Sequence, residues 1–83
     1  MTYTVDVDPQ AHDDIAVLPD AALVALAEAF TILQLVPWSG QPYHRSKPDG
    51  AMRTLPFGSS GVITYIVVED LQRVDVLVIT WIG

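Results

Sequence analysis

Arg45, Lys47 and Arg53 fall within nine positions of one another, and Tyr43 and His44 stand directly before them. The rest of the chain is acidic. Ten Asp and Glu face four Lys and Arg, for a net charge of −6, so three of the four cations sit in one segment. These residue types can address an anionic group. Arginine offers a planar fork for two phosphate oxygens, and lysine offers a point charge. His44 is the one side chain there that changes charge near neutral pH, so it can serve as base or acid. Tyr43 can stack on a base or hydrogen-bond to a phosphate. The net charge argues against a general nucleic-acid coat but leaves room for a local basic site touching a few phosphates.

The plain alternatives stand beside this reading. His-Arg-Ser-Lys in a loop can be solvated surface and nothing more. Arg53 can pair with a carboxylate across a sheet, Arg73 can be a solvated edge charge, and Tyr65 a half-buried sheet tyrosine. His12-Asp13-Asp14 invites a metal, but adjacent helix positions face different ways and no second histidine stands at metal spacing. No metal site and no cofactor is expected. Gly58-Ser59-Ser60-Gly61 does not open a helix and reads as a hairpin turn rather than a phosphate cradle.

The elements that must position these groups can be read from periodicity. Tyr3, Val5 and Val7 alternate with polar residues and predict a first strand. Asp8-Pro9 predicts a helix start with Asp8 as cap, and Ala11, Ile15 and Leu18 keep one face. Pro19 ends that helix and Asp20 caps a second. Leu23, Leu26, Phe30 and Leu33 form its stripe, and Val36-Pro37 closes it. Residues 37–51 hold three of the six prolines and two of the five glycines and predict a long loop. Three strands follow: Met52 to Phe57, Val62 to Val68 and Arg73 to Ile82. The last has large residues at both parities, which predicts a central strand covered on both faces. Trp38 and Trp81 read as packing residues at element ends.

The whole chain, residues 1–83, reads as a single domain. It lacks cysteine, which fits a reducing cytoplasm. MTYTVDVDPQ has neither the basic nor the apolar region of a signal peptide. Ala21 to Val36 is too short for a membrane span and contains Glu28 and Gln34, so no membrane association is expected. A composition 51% hydrophobic in so short a chain leaves apolar surface over, which predicts a dimer or a hetero-complex rather than a free monomer.

A tyrosine-valine first strand, LPDAAL between two helices, PW after the second, then DGAMRTLPFG, GVITYIVVED and VDVLVITWIG together resemble the RelE/ParE superfamily, the toxins of type II toxin–antitoxin pairs. The match lies in order, spacing and length, with Arg53 and Tyr65 as its most specific points. The resemblance implies an α+β fold of order βααβββ, with a helix hairpin on one face of a small, mainly antiparallel four-stranded sheet. It implies a cognate antitoxin as partner. For the RelE branch it implies cleavage of messenger RNA on the ribosome, and for the ParE branch inhibition of DNA gyrase. Direct DNA binding by the toxin alone is not expected.

The departures are specific. Ribonuclease members carry an arginine three residues before the third-strand tyrosine, where this chain has Val62. Many carry a histidine or tyrosine in the closing segment, which here reads Thr80-Trp81-Ile82-Gly83. Family toxins are typically basic, and this chain is not.

Metal-free RNA cleavage needs a base for the 2′-hydroxyl, cations for the phosphorane and an acid for the leaving oxygen. On this reading His44 is the base or acid, and Arg45, Lys47 and Arg53 clamp the phosphate. Tyr43, Tyr65 and Arg73 are the further RNA contacts. The alternative is a non-catalytic inhibitor, or a chain that only binds its antitoxin.

Overall fold

The computed structural model describes residues 2–82. Gly83 of the expected closing segment therefore lies outside the described residues. The elements are β1 (Thr4–Val7), α1 (Pro9–Ala16), α2 (Asp20–Leu35), β2 (Gln41–Pro42), β3 (Met52–Phe57), β4 (Gly61–Val68) and β5 (Arg73–Trp81). Single turns of 3₁₀ helix occupy Pro37–Ser39 and Glu69–Leu71.

The fold class is the expected α+β, with one strand more than the four expected. The sheet order is β1-β5-β4-β3-β2. The extra strand, β2, comes from inside the predicted loop. Gln41 and Pro42 pair with Thr54 and Arg53, and the Tyr43 N–H continues the ladder to the Met52 carbonyl at 2.9 Å. Pro42 is tolerated there because β2 is an edge strand with no further neighbour to donate to. The first and last strands pair in parallel, Thr4 with Arg73 through Val7 with Val76, and every other pairing is antiparallel.

Helix boundaries follow the proline signals, but the caps differ from expectation. Asp8 is the N-cap of α1 and makes no side-chain cap hydrogen bond. Pro19, not Asp20, is the N-cap of α2, and Asp20 is its first helical residue. An acid in the first turn still complements the helix dipole without bonding a free N–H.

The core lies between the helices and one sheet face. Ala11, Ala22, Leu26, Ala29 and Leu33 pack against Phe57, Ile63, Tyr65, Val67, Val74, Val76 and Ile79. Alternation on β4 is regular: Gly61, Ile63, Tyr65 and Val67 are buried, and the residues between them are half-buried.

Strand β5 corrects the expectation of double coverage, because no element packs on its second face among the described residues. Tyr65 pairs with Val76 and Thr64 with Val78, so Leu77 is an extra residue in a bulge. A bulge inserts one residue and shifts the phase of alternation. Val74 and Val76 point to the core before it, and Ile79 after it. Large residues at both parities mark a change of phase, not two covered faces.

Candidate functional site

The loop after α2 is built around Arg53 and Tyr65, which pair across β3 and β4 on the helix side of the sheet. Tyr65 is 0% exposed, and its hydroxyl donates to the Pro37 carbonyl at 2.6 Å. Burial pushes the phenol up, against smaller pulls downward from the Gly40 backbone and the Arg53 charge. It therefore remains a protonated donor through the physiological range. Arg53 is 8% exposed. Its Nη1 donates to the Gly40 carbonyl at 2.8 Å and to the Trp38 carbonyl at 3.3 Å, and its Nη2 donates to the Pro48 carbonyl at 2.8 Å. The guanidinium also lies 4.9 Å from the Trp38 ring centroid, within cation–π range.

Arg53 and Tyr65 are thus brought together, but inside the protein. The expected phosphate-facing place for Arg53 is replaced by a buried one, because loop carbonyls already take both of its terminal nitrogens. Those carbonyls come from both ends of the loop, so the guanidinium fork fixes its span.

Outside that anchor, Tyr43, His44, Arg45 and Lys47 are all exposed. The Lys47 N–H donates to the His44 carbonyl at 3.0 Å, and the Gly50 N–H to the Lys47 carbonyl at 2.9 Å, so two successive turns form the tip. Tyr43 meets His44 edge-on with ring centroids 4.9 Å apart. Among the described residues no side-chain hydrogen bond or ion pair engages His44, Arg45 or Lys47. These are the groups free to meet an anion.

Arg73 lies elsewhere. It stands on the sheet face away from the helices, and its Nε donates to Asp75 Oδ1 at 2.7 Å and its Nη2 to Oδ2 at 3.1 Å. The Asp75 hydrogen bond leads in raising the arginine's pKa, with Asp75 and Asp6 charge adding to it. Strand register puts Met52, Thr54, Pro56, Val62, Thr64, Ile66 and Val68 on the same face. Arg73 is the one cation there among the described residues, and its fork is already filled by a carboxylate. Apart from Arg73, Asp75 and Asp6 at its β1 end, that open face is apolar and threonine-rich.

One cluster escaped the sequence. Glu69, in the turn between β4 and β5, accepts from Tyr3 Oη at 2.6 Å, Trp38 Nε1 at 3.0 Å and Gln72 Nε2 at 2.8 Å. It ties the start of β1 and the loop base to one carboxylate. Only the turn signal of Glu69-Asp70 was visible, since the partners lie 66 and 31 residues away. The Tyr3 and Trp38 hydrogen bonds, in that order, hold the Glu69 carboxyl below its usual range. A depressed carboxyl contributes stability above its unfolded pKa and loses it as pH falls through the folded value. The Trp38 indole N–H resonance should therefore hold its shift through neutral pH and move only on the acid side of the ordinary glutamate value. Glu69→Gln should abolish that titration. A Trp38 resonance that titrates identically in the variant would contradict the assignment.

Among the described residues no cluster of His, Asp and Glu could hold a metal ion, and no helix is long and apolar enough to cross a membrane.

The arrangement is a small mixed sheet with two helices on one face and a cationic loop held at its edge. No family model and no curated protein matches the sequence. Solved structures do match in fold. The toxin–antitoxin complex RelBE2 from Mycobacterium tuberculosis contains a chain with TM-score 0.83 and 24% identity, covering 99% of this chain and 93% of that one. The intact Escherichia coli RelBE toxin–antitoxin complex gives 0.80 and 15%, covering 98% of both chains. A double mutant of E. coli toxin RelE in the free state gives 0.80 and 19%, covering 98% of this chain and 84% of that one. The chain has the RelE fold over essentially its full described length.

Proposed function

We propose that this chain is the toxin half of a two-protein toxin–antitoxin pair and that it acts on RNA through the loop tip at Tyr43, His44, Arg45 and Lys47. One observation carries the reading. A RelE-type fold holds a solvent-facing histidine between an aromatic ring and two unpaired cations, on a loop braced from beneath by Arg53. Tyr43 stacks on a base, Arg45 and Lys47 take phosphate oxygens, and His44 moves the proton of the 2′-hydroxyl or of the leaving oxygen. The reaction is metal-independent cleavage of messenger RNA on the ribosome in the cytoplasm, and it needs no cofactor. Arg53 and Tyr65 act as positioning residues, and Arg73 is a peripheral RNA contact. The antitoxin is the neutralising partner, a role supported by the toxin–antitoxin complexes that share the fold.

A second reading is favoured by the open sheet face. With Arg73 bound to Asp75, Asp6 beside that pair, and apolar or threonine side chains over the rest, that face suits a protein partner better than an RNA backbone. On this reading the chain binds its antitoxin or a target such as gyrase and cuts nothing.

Induction in bacterial cells separates the two. The chain and a His44→Ala/Arg45→Ala/Lys47→Ala variant are expressed while labelled methionine and thymidine incorporation are followed within minutes. A prompt fall in methionine incorporation, lost in the variant, is the expected result. An earlier fall in thymidine incorporation, or no effect on either label, would overturn RNA cleavage in favour of the second reading. The variant alters only exposed loop residues, so its circular dichroism and melting should match the parent's.

A further inference from the structure

Strand β5 outruns its parallel partner. β1 pairs with it only from Arg73 to Val76, and the last β1-side bond is the Asp8 N–H to the Val76 carbonyl at 2.9 Å. Beyond the Leu77 bulge, β5 continues to Trp81 with β4 on one side only. The direction of its backbone groups there is settled by two bonds. The Ile79 N–H points outward and is taken by Asp14 Oδ2 from α1 at 3.0 Å. The Ile82 N–H points inward, to the Ser60 carbonyl at 3.1 Å. Strand alternation then turns the Trp81 N–H and C=O outward with those of Ile79. This leaves a short run of sheet edge with one donor, the Trp81 N–H, and two acceptors, the Ile79 and Trp81 carbonyls, to pair.

A groove of about 400 Å³ lies along this edge, lined by Asp14, Val17, Leu18 and the segment from Val78 to Trp81. Val17 on its rim is 82% exposed. Its floor is apolar, its long wall is a backbone edge paired only at the Ile79 N–H, and its one charge is Asp14.

We propose that this groove takes an extended segment of a different protein, added as a strand beside Ile79–Trp81, with alternating apolar side chains against Val17 and Leu18 and a lysine or arginine at Asp14. The occupant follows from the wall. Only an extended backbone offers N–H and C=O groups at the spacing of a sheet edge, and side-chain pockets then set preference. The charge follows from Asp14, which caps the Ile79 N–H and gains a countercharge when a cation arrives. A second copy of the chain is disfavoured, since two-fold pairing of these edges would set both Asp14 carboxylates at one seam between two acidic molecules. The inference does not depend on what the 43–47 loop contacts.

The test uses the full chain labelled with ¹⁵N and two synthetic peptides of about seven residues, an ordinary strand length. Each alternates valine and threonine, and one carries a central arginine where the other carries glutamate. With millimolar arginine peptide, amide exchange of Trp81 should slow at least tenfold, and the shifts that move should cluster on residues 14–18 and 78–81. The glutamate peptide should do neither. Trp81→Pro removes the outward donor while sparing the β4 ladder, as an edge allows, and should abolish the response. It also removes the indole packed on Phe57, so resonances around residues 57–61 should shift while the rest of the spectrum shows the chain still folded. Asp14→Asn keeps an acceptor for Ile79 and should erase the difference between the peptides. Equal response to both peptides in the parent, no response to either, or a dimer in sedimentation that Trp81→Pro dissolves would each overturn the proposal.

Discussion

Arg53→Met is expected to lower stability by about 3 kcal/mol and to release the loop it braces. Removing one partner of a buried hydrogen bond costs about 1–3 kcal/mol for each group left without one. Of the carbonyls concerned, Gly40 lies in a buried residue and Pro48 in an exposed one. The Pro48 carbonyl can turn to water, while the Gly40 carbonyl cannot do so without movement. Two terms pull the other way. Nε of Arg53 is buried without a hydrogen-bond partner, a penalty that methionine removes. Methionine also keeps much of the apolar stem. The net is still a loss, because charge-assisted bonds are the stronger kind. Against a typical stability of ~4–12 kcal/mol for a chain of this size, the effect is large. Urea unfolding followed by circular dichroism reads it as a fall in midpoint of about 2 M. Limited proteolysis should find new cleavage between residues 40 and 51. Arg53→Lys should fare little better, since one ammonium cannot span carbonyls at both ends of the loop. An Arg53→Met protein as stable as the parent but inactive on RNA would reverse the assignment and make Arg53 a phosphate ligand.

The second large effect is expected at Gly40, where adding a single methyl should cost about 2–4 kcal/mol. Its φ of −70° suits any residue, so conformational freedom is not the reason for glycine. Space is the reason. A Cβ there would press on the Tyr65 hydroxyl and lie 2.6 Å from the Thr54 carbonyl oxygen. Overpacking costs about 1–3 kcal/mol, and displacing the tyrosine also breaks its bond to Pro37. The two sites should therefore couple. Tyr65→Phe alone orphans the buried Pro37 carbonyl. Combined with Gly40→Ala, it removes the atom that the methyl strikes. The double variant should be more stable than the sum of the single losses by about 1 kcal/mol, with the Thr54 contact preventing full recovery. Strict additivity in urea unfolding would mean that the methyl is accommodated elsewhere.

These positions show where legibility in the sequence stopped. Local signals worked where chain neighbours decide the structure. Period 2 marked β1, prolines bounded the helices, and glycine-serine marked the β3–β4 turn. Fold class and the succession of elements were within reach because each element kept its own pattern. Strand β5 was misread because its phase changes at Leu77, a displacement visible only in the register with β4. β2 was missed because two residues carry no period. The site was half legible. Composition located the cationic segment, and nothing in it distinguished exposed Arg45 from buried Arg53. That difference comes from carbonyls of Trp38, Gly40 and Pro48, and carbonyls have no letter in a sequence. Asp14 and Glu69 were invisible as anchors for the same reason, since their partners are distant in the chain.

The parallel pairing of β1 with β5 bears on how the protein is made. Synthesis proceeds from the N-terminus, so β1 leaves the ribosome well before the β5 it pairs with and must wait for it. Until residues 73–76 emerge, Val5 and Val7 have no sheet to join and α1 has no floor to rest on. Contacts between elements this distant in sequence close slowly because the loop entropy is met before the pairing repays it. The chain thus spends its synthesis with its oldest apolar segments uncovered, and a partner or chaperone that meets it during that interval meets a surface that the finished molecule hides.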